Sequence, residues 1–184
     1  IVHWAMETAE SPEVEALWAQ VERRWPELPF DAPWIAEFQR RATLGLVRAL
    51  AEYLRDFAAD GKTLVAAEGR FRFPLTEEVI VSGSIDRVEL APNGEVVIVD
   101  LKTGTPETSQ PAIDVHPQLA TYQLAYREGV LDAFLAPHGE HRAGGAKLVF
   151  VKSGVRGKLY REGVQLVLDE EALAGFRERI LEAA

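Results

Sequence analysis

From Ser11 to Trp25, apolar residues recur every three or four positions, at Val14, Leu17, Trp18, Val21 and Trp25. That spacing places them on one face of a helix. Ser11 suits its N-cap and Pro12 its first turn. After the break "PELPFDAP", the same spacing predicts a long helix from about Trp34 to Ala58, with Ile35, Phe38, Val47, Leu50, Leu54 and Phe57 as its apolar stripe. Gly61 in "DGKT" reads as its C-terminal stop. Three strands follow, "TLVAAEGRFRF", "EEVIVSGSIDRVEL" and "GEVVIVDLK". Helical spacing returns in "HPQLATYQLAYREG", at Leu119, Tyr122, Gln123 and Tyr126. "APHGEHRAGG" reads as a loop, and "AKLVFVK" and "GKLYREGVQLVL" as two more strands. "DEEALAGFRERILEAA" is an amphipathic helix capped by Asp169. Helices, three strands, helix, two strands and helix predict an α/β fold with a mixed sheet. The expected layout is one domain over 1–184, with a helical segment over 1–60 and a sheet core with a C-terminal helix over 61–184.

"VIVDLKTGT" raises a problem, because a strand that reads as core ends in Asp100 and Lys102. "APNGE" joins it to the strand before it. Pro92, Asn93 and Gly94 suit a three-residue hairpin loop with Gly in the left-handed region. In that geometry Ala91 faces Glu95, and counting outward along both strands pairs Asp86 with Asp100. Two carboxylates then sit with Cβ atoms about 5 Å apart and repel each other. Lys102 lies on the Asp100 face, since side chains alternate along a strand. Two arrangements relieve the repulsion. One is a structural ion-pair cluster around Lys102. The other is a divalent cation held by the two Asp residues, for which hard ions such as Mg²⁺ are suited.

Composition narrows the classes. The 184 residues are 47% hydrophobic and 27% charged, an ordinary globular balance for one domain with a real core. No apolar run reaches the ~20 residues of a membrane span, and no secretory signal is visible. The absence of Cys rules out disulfides, thiolate metal sites and an iron–sulfur cluster, and fits a reducing cytoplasm. "DGKT" is no nucleotide-binding loop: the first Gly of that motif falls on Asp56, and the helix-to-strand order is reversed, so no ATP site is expected in this chain. The net charge of −9 argues against a free-standing nucleic-acid binder. Arg142 to Arg161, however, carries six basic residues and no acidic one; the plain reading is a solvated strand pair. The chain begins at Ile1 inside an apparent helix, which suggests a piece of a longer protein.

"GSIDRVE" (Gly83 to Glu89), "IVDLKTG" (Ile98 to Gly104) and "QLATY" (Gln118 to Tyr122) resemble the signature of RecB-like nucleases of the PD-(D/E)XK superfamily. "IVH" at the start resembles the His-bearing helix of that family, so the resemblance runs from His3 to about Phe150. Among its branches the wording is most similar to the C-terminal nuclease domains of actinobacterial-type UvrD/AdnB-like helicase–nucleases. D-x-K alone is common; an Asp, a D-x-K 14 residues on and then Q-x-x-x-Y is a specific combination. The resemblance implies a restriction-endonuclease-like mixed sheet flanked by helices. It implies metal ligation by His3, Asp86, Asp100 and the backbone carbonyl of Leu101. Lys102 would act on the attacking water and the phosphate, and Gln118 and Tyr122 would position Lys102 or the DNA. The expected ion is Mg²⁺, with Mn²⁺ able to substitute. The expected activity is exonucleolytic DNA-end processing in double-strand-break repair. Partners would be DNA and helicase motor domains of the same polypeptide or a partner subunit, in the bacterial cytoplasm at the nucleoid. On such a nuclease, Lys147, Lys152, Arg156 and Lys158 become candidate DNA contacts. The Pro-Asp of the superfamily name is absent here; the first Asp lies in "SIDR".

Plainer readings stand beside these. A nuclease-like scaffold or DNA-binding module without cleavage would share the fold. A salt-bridge cluster in an unrelated α/β domain would explain Lys102 but not the Q-x-x-x-Y helix. Arg87 and Glu89 suit a charged strand face or partners for neighbouring groups, Glu68 a partner on the adjacent strand, and His116 a helix cap.

Overall fold

The structure, a computed structural model, describes residues 1–106 and 109–184. The chain divides into two compact units. The first comprises Ile1–Asp60, Leu101–Pro106 and Val149–Glu162; the second comprises Gly61–Asp100, Glu107–Leu148 and Gly163–Ala184.

In the first unit, α1 (Val2–Glu7), α2 (Val14–Arg24) and α3 (Pro33–Ala59) bury Leu17, Val21, Val47, Leu50 and Tyr53. The α2 helix starts later than Ser11 and Pro12 suggest. Glu13 holds the N-cap position, while Ser11 Oγ accepts the Glu13 N–H at 3.2 Å in the turn before the helix. In α3 the buried positions begin at Thr43, and Phe38, expected in the apolar stripe, is 66% exposed. The cause is the face it occupies: Arg40, two residues on, bonds Glu22 and lies over the Trp18 ring of α2, and Phe38 points to another side of the helix.

The sheet order is β1 (Thr63–Pro74), β2 (Ile80–Leu90), β3 (Glu95–Lys102), β4 (Arg142–Phe150) and β5 (Arg161–Gln165). β1 pairs antiparallel with β2, and β2 with β3. The β2–β3 loop is as the sequence predicts. Gly94 has φ 83°, its N–H reaches the Ala91 carbonyl at 2.9 Å, and the Ala91 N–H reaches the Glu95 carbonyl at 2.9 Å. β4 runs parallel to β3. Arg142 N–H bonds to Gly94 C=O at one end, and Val151 N–H to Lys102 C=O at the other. A parallel return needs a long crossover, supplied by α4 (Gln110–Asp114), α5 (Pro117–Arg127) and α6 (Asp132–Leu135). β4 begins inside the stretch read as a loop, because Arg142 also bonds the Asn93 carbonyl at 2.7 Å and Glu95 at 3.0 Å. β5 is shorter than predicted; Val155 to Lys158 forms a tight hairpin tip with Gly157 at φ 82°. The last helix, α7 (Glu170–Ala183), is capped as expected, with Asp169 Oδ1 accepting the Ala172 N–H at 2.8 Å.

A mixed five-stranded sheet flanked by helices, with an N-terminal helical segment, is the restriction-endonuclease-like α/β architecture. Among the described residues no helix is long and apolar enough to cross a membrane.

Candidate active site

The register of β2 on β3 follows the count made from the hairpin, from Leu90↔Val96 to Arg87↔Val99. The ladder ends there. Asp86 and Asp100 are the next pair in the count, still inside both strands.

In the second unit Asp100, 4% exposed, is held by α5. Gln118 Nε2 donates to Asp100 Oδ1 at 2.5 Å and to the Tyr122 hydroxyl at 2.8 Å. That hydroxyl lies 2.8 Å from Asp100 Oδ1 and 3.1 Å from the Ser84 carbonyl, so its one proton faces two acceptors. Gln118 and Tyr122 are one helical turn apart and therefore share a face of α5. Phe71 meets the Tyr122 ring edge-on at 6.3 Å and fixes its plane. Burial pushes the Tyr122 hydroxyl far above its usual acidity range. The charge of Asp100 and its hydrogen bond add to the shift, Gln118 opposes it, and the charge of Asp86 adds a little more. Tyr122 is therefore a neutral donor that orients a carboxylate.

In the first unit, α1 buries Val2, Ala5 and Met6, which turns His3 toward the end of β3. His3 Nε2 lies 2.7 Å from the Leu101 carbonyl oxygen. Lys102 follows, half-buried, with its own carbonyl bonded to Val151.

The carboxylates of Asp86 and Asp100, both in the second unit, are hard oxygen donors of the type that suits Mg²⁺ or Mn²⁺. Among the described residues there is no group of three or more His, Asp or Glu side chains that could by themselves hold a metal ion.

Of the basic residues singled out as DNA contacts, Lys147 is misplaced by sequence reasoning. It is 6% exposed, with its ammonium 3.5 Å from Glu89. Glu89 also takes a 2.7 Å bond from Arg87, so Arg87 and Glu89 form a buried ionic cluster with Lys147, not a charged strand face. The outward charge pattern of β4 gave no sign of this, since the acceptor is on another strand. Lys152, Arg156 and Lys158 are exposed, and Lys158 bonds Asp56 at 2.7 Å. His116 occupies the N-cap of α5 but its side chain makes no capping bond. Glu68 is exposed, in a left-handed backbone conformation with φ 51°. The Ser84 carbonyl, which anchors Tyr122, and the Asp56–Tyr160 bond at 2.5 Å had no sequence signal, because both depend on tertiary contacts.

The architecture is that of a restriction-endonuclease-like protein, and its third strand carries the D-x-K. The chain belongs to the PD-(D/E)XK nuclease superfamily, whose family model matches residues 1–184. No curated protein matches the chain. Membership implies a nuclease, a hydrolase that binds nucleic acid, in a superfamily that typically uses divalent metal ions.

Proposed function

We propose that the chain is the nuclease domain of a RecB-like, AdnB-type helicase–nuclease that hydrolyses DNA phosphodiester bonds with Mg²⁺. On this reading it trims DNA ends exonucleolytically during double-strand-break repair in the bacterial cytoplasm, with motor domains in the same polypeptide or a partner subunit. The observation that carries the reading is the grip of Gln118 and Tyr122 on one oxygen of a buried carboxylate, Asp100. Two fixed donors on a single oxygen set the direction of the other.

His3 Nε2, Asp86, Asp100 and the Leu101 carbonyl would hold the ion. When bound, it supplies Lewis acidity toward the phosphate and lowers the pKa of water. Asp100 and Asp86 supply the negative charge, and Tyr122, kept neutral, orients Asp100 without competing for the cation. Lys102, two residues after Asp100 on the same strand, orients the attacking water and meets the charge that develops on the phosphate.

End-labelled single-stranded and duplex DNA, with and without Mg²⁺, tests this. Lys102→Ala should lower cleavage about 10²–10³-fold while keeping metal affinity intact or raised, because a nearby positive charge is gone. Asp100→Asn should lose both. A Lys102→Ala protein that cuts at the parent rate would remove the mechanism.

A further inference from the structure

A groove in the first unit is unexplained by metal chemistry. The N-terminal half of α3 and the hairpin from Val151 to Leu159 enclose about 910 Å³. Phe38, Gly45 and Leu46 line it from the helix, and Val155 and Leu159 from the hairpin. Thr103, the residue after Lys102, also lines it, so the strand that carries the D-x-K leads into this groove.

Its chemistry is mixed in a particular way. Phe38, which lines the groove, is 66% exposed, and Trp34, one turn before it on α3 and outside the lining, is 72% exposed. Lys152, Arg156 and Lys158 line the groove, and none of the described lining residues is acidic, on a chain whose net charge is −9. Lys158 is engaged by Asp56, which leaves Lys152 and Arg156 as the main source of positive field. The hairpin is held in place. Asp56 accepts from Lys158 at 2.7 Å and from Tyr160 at 2.5 Å, and Glu52 accepts the Leu159 N–H at 2.9 Å. The groove is thus formed before any ligand arrives.

We infer that this groove binds single-stranded DNA, with Lys152 and Arg156 on its phosphates and Trp34 and Phe38 stacked on unpaired bases. The choice of DNA rests on the nuclease reading; the choice of a single strand rests on the groove. An aromatic platform beside cations suits unpaired bases, each of which offers a π-face, whereas stacked base pairs withhold theirs. Protein-binding surfaces are depleted in Lys at their centre, which makes a protein the poorer fit.

Fluorescence anisotropy in EDTA, where no cleavage can occur, separates this from the chemistry. Labelled oligothymidine should bind more tightly than a duplex of equal length. Phe38→Ala and Trp34→Ala should each weaken single-strand binding about fivefold or more. Gly45→Glu should weaken it about tenfold; a Cβ at Gly45 meets nothing within 4 Å, so the new side chain enters the groove without disturbing the helix. Lys152→Gln with Arg156→Asn should reduce the slope of log affinity against log salt by about 0.7 per cation removed. Equal binding of single strand and duplex, untouched by Phe38→Ala and Gly45→Glu, overturns the inference. Failure of the parent protein to bind either DNA also overturns it, and leaves the aromatic pair to a protein partner. Selective single-strand binding without any cleavage in Mg²⁺ or Mn²⁺ would sink the nuclease reading and leave the groove standing.

Discussion

Tyr122 connects sequence spacing to site chemistry most directly. Its place four residues after Gln118 in a helical stretch was visible in the sequence, and so was the D-x-K it serves. The Ser84 carbonyl that completes its hydrogen bonding was not, because backbone acceptors leave no mark on side-chain pattern. Lys147 shows the opposite failure: a lysine on a strand reads as solvated unless its buried carboxylate partner is known. The raised pKa of Tyr122 has a testable consequence. Unfolded chains ionise tyrosine near 10.0, and the folded protein resists it, so this contribution to stability is complete below about pH 10 and is lost as pH rises beyond it. Tyr160, pushed up to about 12 first by burial, and Tyr126 add to the same alkaline loss. Tyr122→Phe should cost about 2 kcal/mol at neutral pH, through the lost bond to a charged acceptor. It should also make the fall in melting temperature between about pH 9 and 11 shallower than in the parent. Equal slopes would mean that Tyr122 is not the buried, carboxylate-facing phenol described.

Elements were legible where a local rule sets them. The β2–β3 hairpin follows from Pro92, Asn93 and Gly94, and its register follows from the loop length. The α3 stripe was legible in period but not in burial, because apolar spacing does not say which face the neighbouring helix covers. Residues 157–160 of the hairpin read as strand in the sequence, since the tie from Lys158 and Tyr160 to Asp56 crosses about a hundred residues. That tie carries a pH signature. The hydrogen bond from Lys158, followed by that from Tyr160, holds the Asp56 carboxyl below its usual value of 3.8. Its contribution is therefore present above about pH 4 and is lost as pH falls through the lowered value. Asp56→Asn should cost roughly 1 kcal/mol or less near pH 7, as expected of a largely solvated pair. The stability gap between parent and variant, read from urea midpoints, should close as pH falls from 6 toward 3. A gap that stays constant would remove the ion pair as its source.

At the scale of the whole molecule, the α/β class, the strand order up to β3 and the family were legible, because they rest on period and on motifs at fixed spacing. Leu101–Pro106 and Val149–Glu162 group with the N-terminal helices, while Asp100, one residue earlier, groups with the sheet, and local sequence pattern carries no mark of that grouping. The proposal that Asp100 helps to hold a divalent cation is open to calorimetric titration with Mn²⁺. The parent chain should bind it saturably, with binding lost in Asp100→Asn and weakened in His3→Ala, both variants being folded by circular dichroism. A parent chain that takes up no Mn²⁺, or that binds it as well with Asn at position 100, would contradict it.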